Sequence, residues 1–214
     1  MHIPDGFLSV PTAAVAYAAS GAAVAYAARR TNAELSERQV PVMGISAAFI
    51  FAAQMLNFPV AGGTSGHLLG GALAAILLGP WAGTLVITAV LAVQALIFQD
   101  GGLLALGANV LNMAVAGVWV GHLTYRGLVG VLGQGKLGLY AGGFVAGWLS
   151  VVLAALLASV ELAVSGTSAL AYVVPAMGGV HALIGIGEGL ITVGVVVFLS
   201  LARPDLLLRP VAGR

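Results

Sequence analysis

The chain has 214 residues, of which 60% are hydrophobic and 7% charged, and a formal net charge of +1. Charged residues make up about a quarter of ordinary soluble domains, so this composition excludes a water-facing globular surface and describes an integral membrane protein. Eight scattered basic residues exclude a nucleic-acid-binding face. The absence of cysteine excludes a disulfide framework, a thiolate nucleophile and a thiolate-bound metal.

The amino terminus has no basic region ahead of an apolar stretch, so no secretory signal is expected there, and Met1 to Gly6 is expected to be a polar cap on the mature chain. Met1 should be retained because His2 is large. Pro4 restricts Ile3 to extended geometry and Asp5-Gly6 favours a turn, so segment 1–9 can fold the terminus back into a bundle. Apolar stretches near the about 20 residues of a bilayer span run from Val10 to Ala28, Val40 to Phe58, Trp81 to Phe98, Gly107 to Tyr125, Leu137 to Ser159 and Gly178 to Leu201. A seventh, Leu68 to Gly79, is short, and is either a short span or one arm of a re-entrant hairpin. The runs are continuous rather than alternating, which excludes a β-barrel. The expected fold is all-α: one integral-membrane domain over residues 1–214, a bundle of about seven transmembrane helices.

Charge fixes the expected orientation. Arg29, Arg30 and Arg38 follow the first span, Arg126 and Lys136 the fifth, and Arg203, Arg209 and Arg214 the last. Seven spans place all eight on one side, the cytoplasm by the positive-inside rule, with the amino terminus outside. A single crossing over Leu68 to Phe98 would scatter them. This topology gathers Gln54, Asn57, Thr64, Ser65, His67, Gln94, Gln99, Asp100, Asn109, Asn112 and His181 at the outer level, where costly intramembrane polar groups mark a ligand path.

Met1-His2 carries the sharpest chemistry. A free α-amine, the deprotonated amide nitrogen of residue 2 and an imidazole nitrogen can close a five- and a six-membered chelate ring on one metal. A second imidazole completes a planar N4 site of the kind that suits nickel(II) or copper(II), and His67 lies on the same side. Taken alone, His2 also fits an ordinary polar residue near a chain end. The outer Gly-rich loop, 58–67, contains Gly62, Gly63 and Gly66, which let backbone approach a ligand. Thr64 and Ser65, with Asn57, Asn109 and His181 at the same level, are the candidates for orienting the ligands. The loop lacks the lysine of a phosphate-binding Walker A motif.

Met1-His2-Ile3-Pro4-Asp5-Gly6, the stretch from Gln54 to Val60 and on from Gly62 to Gly71, Gln94-Ala95-Leu96, Asp100-Gly101-Gly102 and His181 to Glu188 together resemble the substrate-capture component of nickel and cobalt energy-coupling factor transporters, the CbiM/NikM family, over roughly residues 1 to 200. The resemblance implies a prokaryotic, multi-pass cell-membrane protein that is not an enzyme and has no organic cofactor. It would take nickel(II) or cobalt(II) from outside as transported substrate, with Met1, His2 and His67 as ligands. It also implies partners: a membrane coupling subunit, cytosolic ATPases and a small additional membrane subunit.

His181 and Glu188 are two helical turns apart on one face. A self-sufficient secondary transporter or channel would use them as a proton-coupled path, whereas a structural Glu188 would pair with an amide or hydroxyl. His122 is expected at the inner interface. Ala14, Ala18 and Ala22, and Gly44, Ala48 and Ala52, form small-residue ladders that would admit a partner helix or pack internally.

Overall fold

The computed structural model describes residues 1–34, 36–37, 39–60 and 64–206; Gly62 and Gly63 of the expected loop, and Arg38, Arg209 and Arg214, lie outside the described residues. Among the described residues the protein is helical apart from one small hairpin. Its helices are α1 (Val10–Glu34), α2 (Gln39–Gln54), α3 (Gly71–Val93), α4 (Leu106–Asn109), α5 (Val118–Leu132), α6 (Lys136–Val164) and α7 (Leu170–Ala202). A π-helical turn, Gln94–Phe98, extends α3, and another, Val110–Gly117, joins α4 to α5 in one continuous helix. Five helical stretches are long and apolar enough to cross a membrane, with Gln39–Gln54 a shorter apolar sixth.

One of the five, Gly71–Phe98, is folded on itself. Gly79 adopts φ 80°, ψ 168° inside it, a conformation open to glycine and closed to residues with a Cβ. Pro80 follows at the first position of the new helix, where its missing N–H costs nothing. A Cβ on Gly83 would lie 3.2 Å from the Ala74 backbone, although nine residues of straight helix measure about 13 Å. The two arms therefore lie side by side. The short Leu68 to Gly79 stretch is thus the first arm of a hairpin. Its helical part spans about 12 Å, and a non-helical segment, residues 67–70, with His67 and Leu69 buried, leads into it. Ala72 packs against Gly121, and Ile76 clusters with Tyr125 and Val129, so this arm runs toward the Val129 end of α5.

The structure differs from the sequence reading at several helix ends and at the amino terminus. α2 stops at Gln54, and Phe58–Val60 (β1) pairs antiparallel with Thr64–Gly66 (β2). α7 begins at Leu170 rather than Gly178 and runs through Pro175, as membrane helices permit where neighbours satisfy the freed backbone. His181 consequently sits three turns inside its helix rather than at its start. Met1 to Gly6 is not a polar cap. Met1, His2 and Ile3 are buried, because the Asp5-Gly6 turn, with Gly6 at φ 83°, sends the terminus back into the bundle.

Of the basic residues described, Arg29, Arg30, Arg126, Lys136 and Arg203 lie by connectivity at the bundle end opposite that buried terminus. Tyr26, Trp81, Trp119 and half-buried His122 form an edge-to-face chain there, with the Arg30 guanidinium 5.8 Å from the Trp81 ring. Both small-residue ladders face away from the bundle: Ala14, Ala18, Ala22, Gly44, Ala48 and Ala52 are all exposed.

Candidate metal centre

The terminus is held by an extended strap. Asn109 binds both sides of the Ile3 backbone, accepting its N–H at 2.8 Å and donating to its carbonyl at 3.1 Å. The Gly102 N–H donates to the same carbonyl at 2.9 Å. Asp5 accepts the N–H groups of Leu103 and Leu104, and Thr167 donates to the Phe7 carbonyl. A Cβ on Gly102 would come within 2.3 Å of the Asp5 backbone, so only glycine lets the strap seat. Asn109 and Gln94 stand at the edges of the two π-helical turns, a feature frequent at functional sites.

Within this seat the Met1 amine donates to Ser65 Oγ at 3.2 Å, and the His2 backbone N–H approaches the same oxygen at 3.3 Å. The His2 ring bonds through Nε2 to Gln94 Oε1 at 3.1 Å. With Gln94 Oε1 as the acceptor, Nε2 carries the proton and Nδ1 keeps its lone pair. Nδ1 has no hydrogen-bond partner and lies 3.4 Å from Asp100 Oδ1. The His67 ring stacks on His2 with centroids 4.4 Å apart. Its Nδ1 donates to the Leu68 carbonyl at 2.7 Å, which leaves Nε2 unpartnered. On α7, His181 Nδ1 likewise donates to the Met177 carbonyl at 2.8 Å, and the Ser65 backbone faces the same ring.

Burial decides the electrostatics. It pushes the Met1 amine down to about 4, partly offset by Asp100. It takes His2 down to about 3, helped by the neighbouring amine and opposed by the Gln94 hydrogen bond. His67 is held well below its usual value, first by burial and then by the amine and His2. Asp100 is raised by its partial burial, against the pull of the amine and of Asn57, which donates to it at 2.7 Å. Near neutral pH the chamber therefore presents an uncharged amine and uncharged imidazoles with free lone pairs, beside one partly exposed carboxylate.

Every residue singled out for orienting the ligands lies around this chamber. Ser65 and Asn109 touch the strap, and Asn57 reaches it through Asp100. Thr64 donates to Met177 Sδ at 2.7 Å and so ties β2 to α7 below His181. Gln94, Asp100 and Asp5 have contacts that sequence reasoning did not assign; their signals were the shared outer level of the first two, the turn propensity at Asp5 and the place of all three in the motifs that carry the family resemblance. Glu188 pairs with backbone rather than side-chain amides, accepting Leu69 N–H at 2.9 Å and Gly70 N–H at 2.6 Å. Among the described residues no group of three or more His, Asp or Glu side chains is arranged to hold a metal ion; the donors here are mostly backbone and ring nitrogens.

A helical bundle with this chamber at one end has the architecture of a multi-pass membrane metal transporter. It superposes on the crystal structure of a truncated transition metal transporter with a TM-score of 0.86 at 37% identity, covering 94% of this chain and 98% of the other. Within that class the chain belongs to the CbiM family, the cobalt uptake substrate-specific transmembrane region, whose model matches residues 2–206. It is 46% identical to an Archaeoglobus fulgidus protein whose name describes a fused nickel transport protein NikMN, over 97% of this chain and 68% of the relative. It is 34% identical to the cobalt transport protein CbiM of Sorangium cellulosum, over 97% of this chain and 94% of the relative.

Proposed function

We propose that the protein captures nickel(II) or cobalt(II) at the outer face of a prokaryotic cell membrane, as the substrate-specific component of an ATP-driven energy-coupling factor transporter. The observation that carries this reading is that the buried Met1 amine and His2 amide nitrogen, both at Ser65 Oγ, lie beside the stacked His2 and His67 rings, whose Nδ1 and Nε2 respectively have no hydrogen-bond partner. His2 Nδ1 is the ring nitrogen that closes a six-membered chelate with its own amide, and it is the one left bare. Its lone pair faces the Asp100 carboxylate, an arrangement that a cation between them relieves. Four nitrogens, three of them from the Met1-His2 dipeptide, would make a planar set that favours nickel(II). Relatives named for nickel and for cobalt keep both ions in play.

Transport then needs energy from elsewhere, because the sequence has no Walker A motif. The outward-facing ladders on α1 and α2 are suited to a membrane coupling subunit. The rival reading, a self-sufficient carrier using His181 and Glu188, is disfavoured by Glu188 having both oxygens engaged by backbone N–H groups. Nickel accumulation should require co-expression of the partner ATPases; full uptake by this chain alone, independent of ATP, would overturn the coupled reading.

The orientation has the terminus and chamber outside and the basic end inside. With the folded Gly71–Phe98 hairpin counted as two passes, the chain crosses seven times. Reporters placed between Arg30 and Arg38 or after Arg214 should read cytoplasmic, and tags within Ser165 to Ala169 external. Cytoplasmic labelling at Ser165 would sink this topology.

A further inference from the structure

One peptide plane joins His67 to Glu188. The Leu68 carbonyl accepts His67 Nδ1–H at 2.7 Å, and the nitrogen of that same peptide, Leu69 N–H, donates to Glu188 Oε2 at 2.9 Å. Glu188 Oε1 takes the next N–H, that of Gly70, at 2.6 Å. Both ends of the relay are buried, His67 at 1% and Glu188 at 3% exposure, although 121 positions separate them in the chain.

We infer that Glu188 is the positioning residue of the His67 ligand, acting through the Leu68–Leu69 peptide. The inference rests on the reading of His67 as a metal ligand. Metal-bound histidines commonly donate their second N–H to a carboxylate or carbonyl, which fixes ring orientation and raises the basicity of the ligating nitrogen. Here the carbonyl is itself backed by a carboxylate on its peptide's nitrogen. Each hydrogen bond in such a chain polarises the next, so negative charge at Glu188 strengthens the donor power of His67 Nε2. The same carboxylate faces the start of α3, where backbone N–H groups lack helical partners and the dipole favours an anion. Two further contacts stop the segment from slipping. Gly70 is left-handed at φ 76°, where a Cβ would strike Ile50 at 2.7 Å, and Gln54 Nε2 donates to the Leu69 carbonyl at 2.6 Å. The peptide plane is thereby held on both sides, and Glu188 sets its direction.

A thermodynamic cycle on the full chain tests this: nickel affinity of the wild type, E188Q, H67A and the double variant. Glutamine can accept only one of the two N–H groups and carries no charge. E188Q should therefore weaken nickel binding about 10–100-fold, the range for loss of an outer-shell partner. It should also move the ligand-field band of the bound nickel to longer wavelength. In the H67A background the same change should cost nothing further. Equal losses in both backgrounds, or no loss in either, would overturn the inference, since a carboxylate that only supports the fold is indifferent to His67. If H67A binds nickel like the wild type, the ligand assignment itself falls, a result separable from either of these. Should E188Q fail to fold, E188D keeps the charge one methylene short. It should then show a smaller loss that again vanishes without His67.

Discussion

A single residue added before Met1, or acetylation of its amine, is expected to weaken nickel binding by more than about 100-fold, beyond the 10–100-fold typical of outer-shell changes. In the proposed site the amine is one end of the five-membered chelate ring, and its lone pair is free because burial holds it uncharged at neutral pH. Acetylation removes that lone pair. An added residue moves the amine three bonds away and forces new chain into a chamber where Met1 is 1% exposed. H67A should produce a loss of similar size by removing the fourth nitrogen, whereas H122A, whose ring lies among Trp119 and Arg126 at the opposite end, should leave affinity within about twofold, as expected for a change remote from a site. Calorimetric titration gives the affinities, and the absorption spectrum reports the planar nickel. One nickel bound as tightly by the extended protein, with an octahedral spectrum, would remove the Met1-His2 chelate and leave His67 and His181 as the starting point.

The residue types of the proposed site stand out in the sequence because chelation is local. An amine, an amide and a ring at positions 1 and 2 make two rings whatever the fold, and the Pro4 to Gly6 turn shows how the terminus returns. Helical spans were equally plain, since each is a continuous apolar run. What could not be read is whatever the bundle brings together from a distance. Asn109 and Ile3 are 106 residues apart, and nothing in either marks the two-sided backbone contact. Leu69 and Glu188 are 119 apart, and backbone N–H groups leave no trace in a sequence. The β-hairpin was missed because two three-residue strands are shorter than any periodicity can reveal. The fold at Gly79 was half visible: Gly79-Pro80 punctuates the apolar run, but only the approach of Gly83 to Ala74 shows that the arms double back.

Nickel binding at pH 7 should release about one proton per ion, and affinity should fall about tenfold for each pH unit between about 8 and 5, because ligands must be deprotonated to bind. The count follows from the burial of the site. In an unfolded peptide with the same donors, the amine titrates near 8.0 and each imidazole near 6.5. Binding at pH 7 would then displace about two protons, mostly one from the amine and one from the amide. In the folded chamber the amine has fallen to about 4 and His2 to about 3, with His67 also well below its usual value. These groups are already bare at pH 7, and only the His2 amide has a proton left to lose. Below about pH 4 the dependence should steepen as first the amine and then His2 protonate. The same lowered values link seating of the strap to pH in the same direction. Burial of the neutral amine is fully favourable above pH 8 and weakens as pH falls toward 4, by about 1.4 kcal/mol per unit. Calorimetry in two buffers of different ionisation enthalpy counts the protons directly. Two released at pH 7 would mean that the amine is charged before the metal arrives and that the terminus is not seated as described. None released would exclude the amide nitrogen as a ligand.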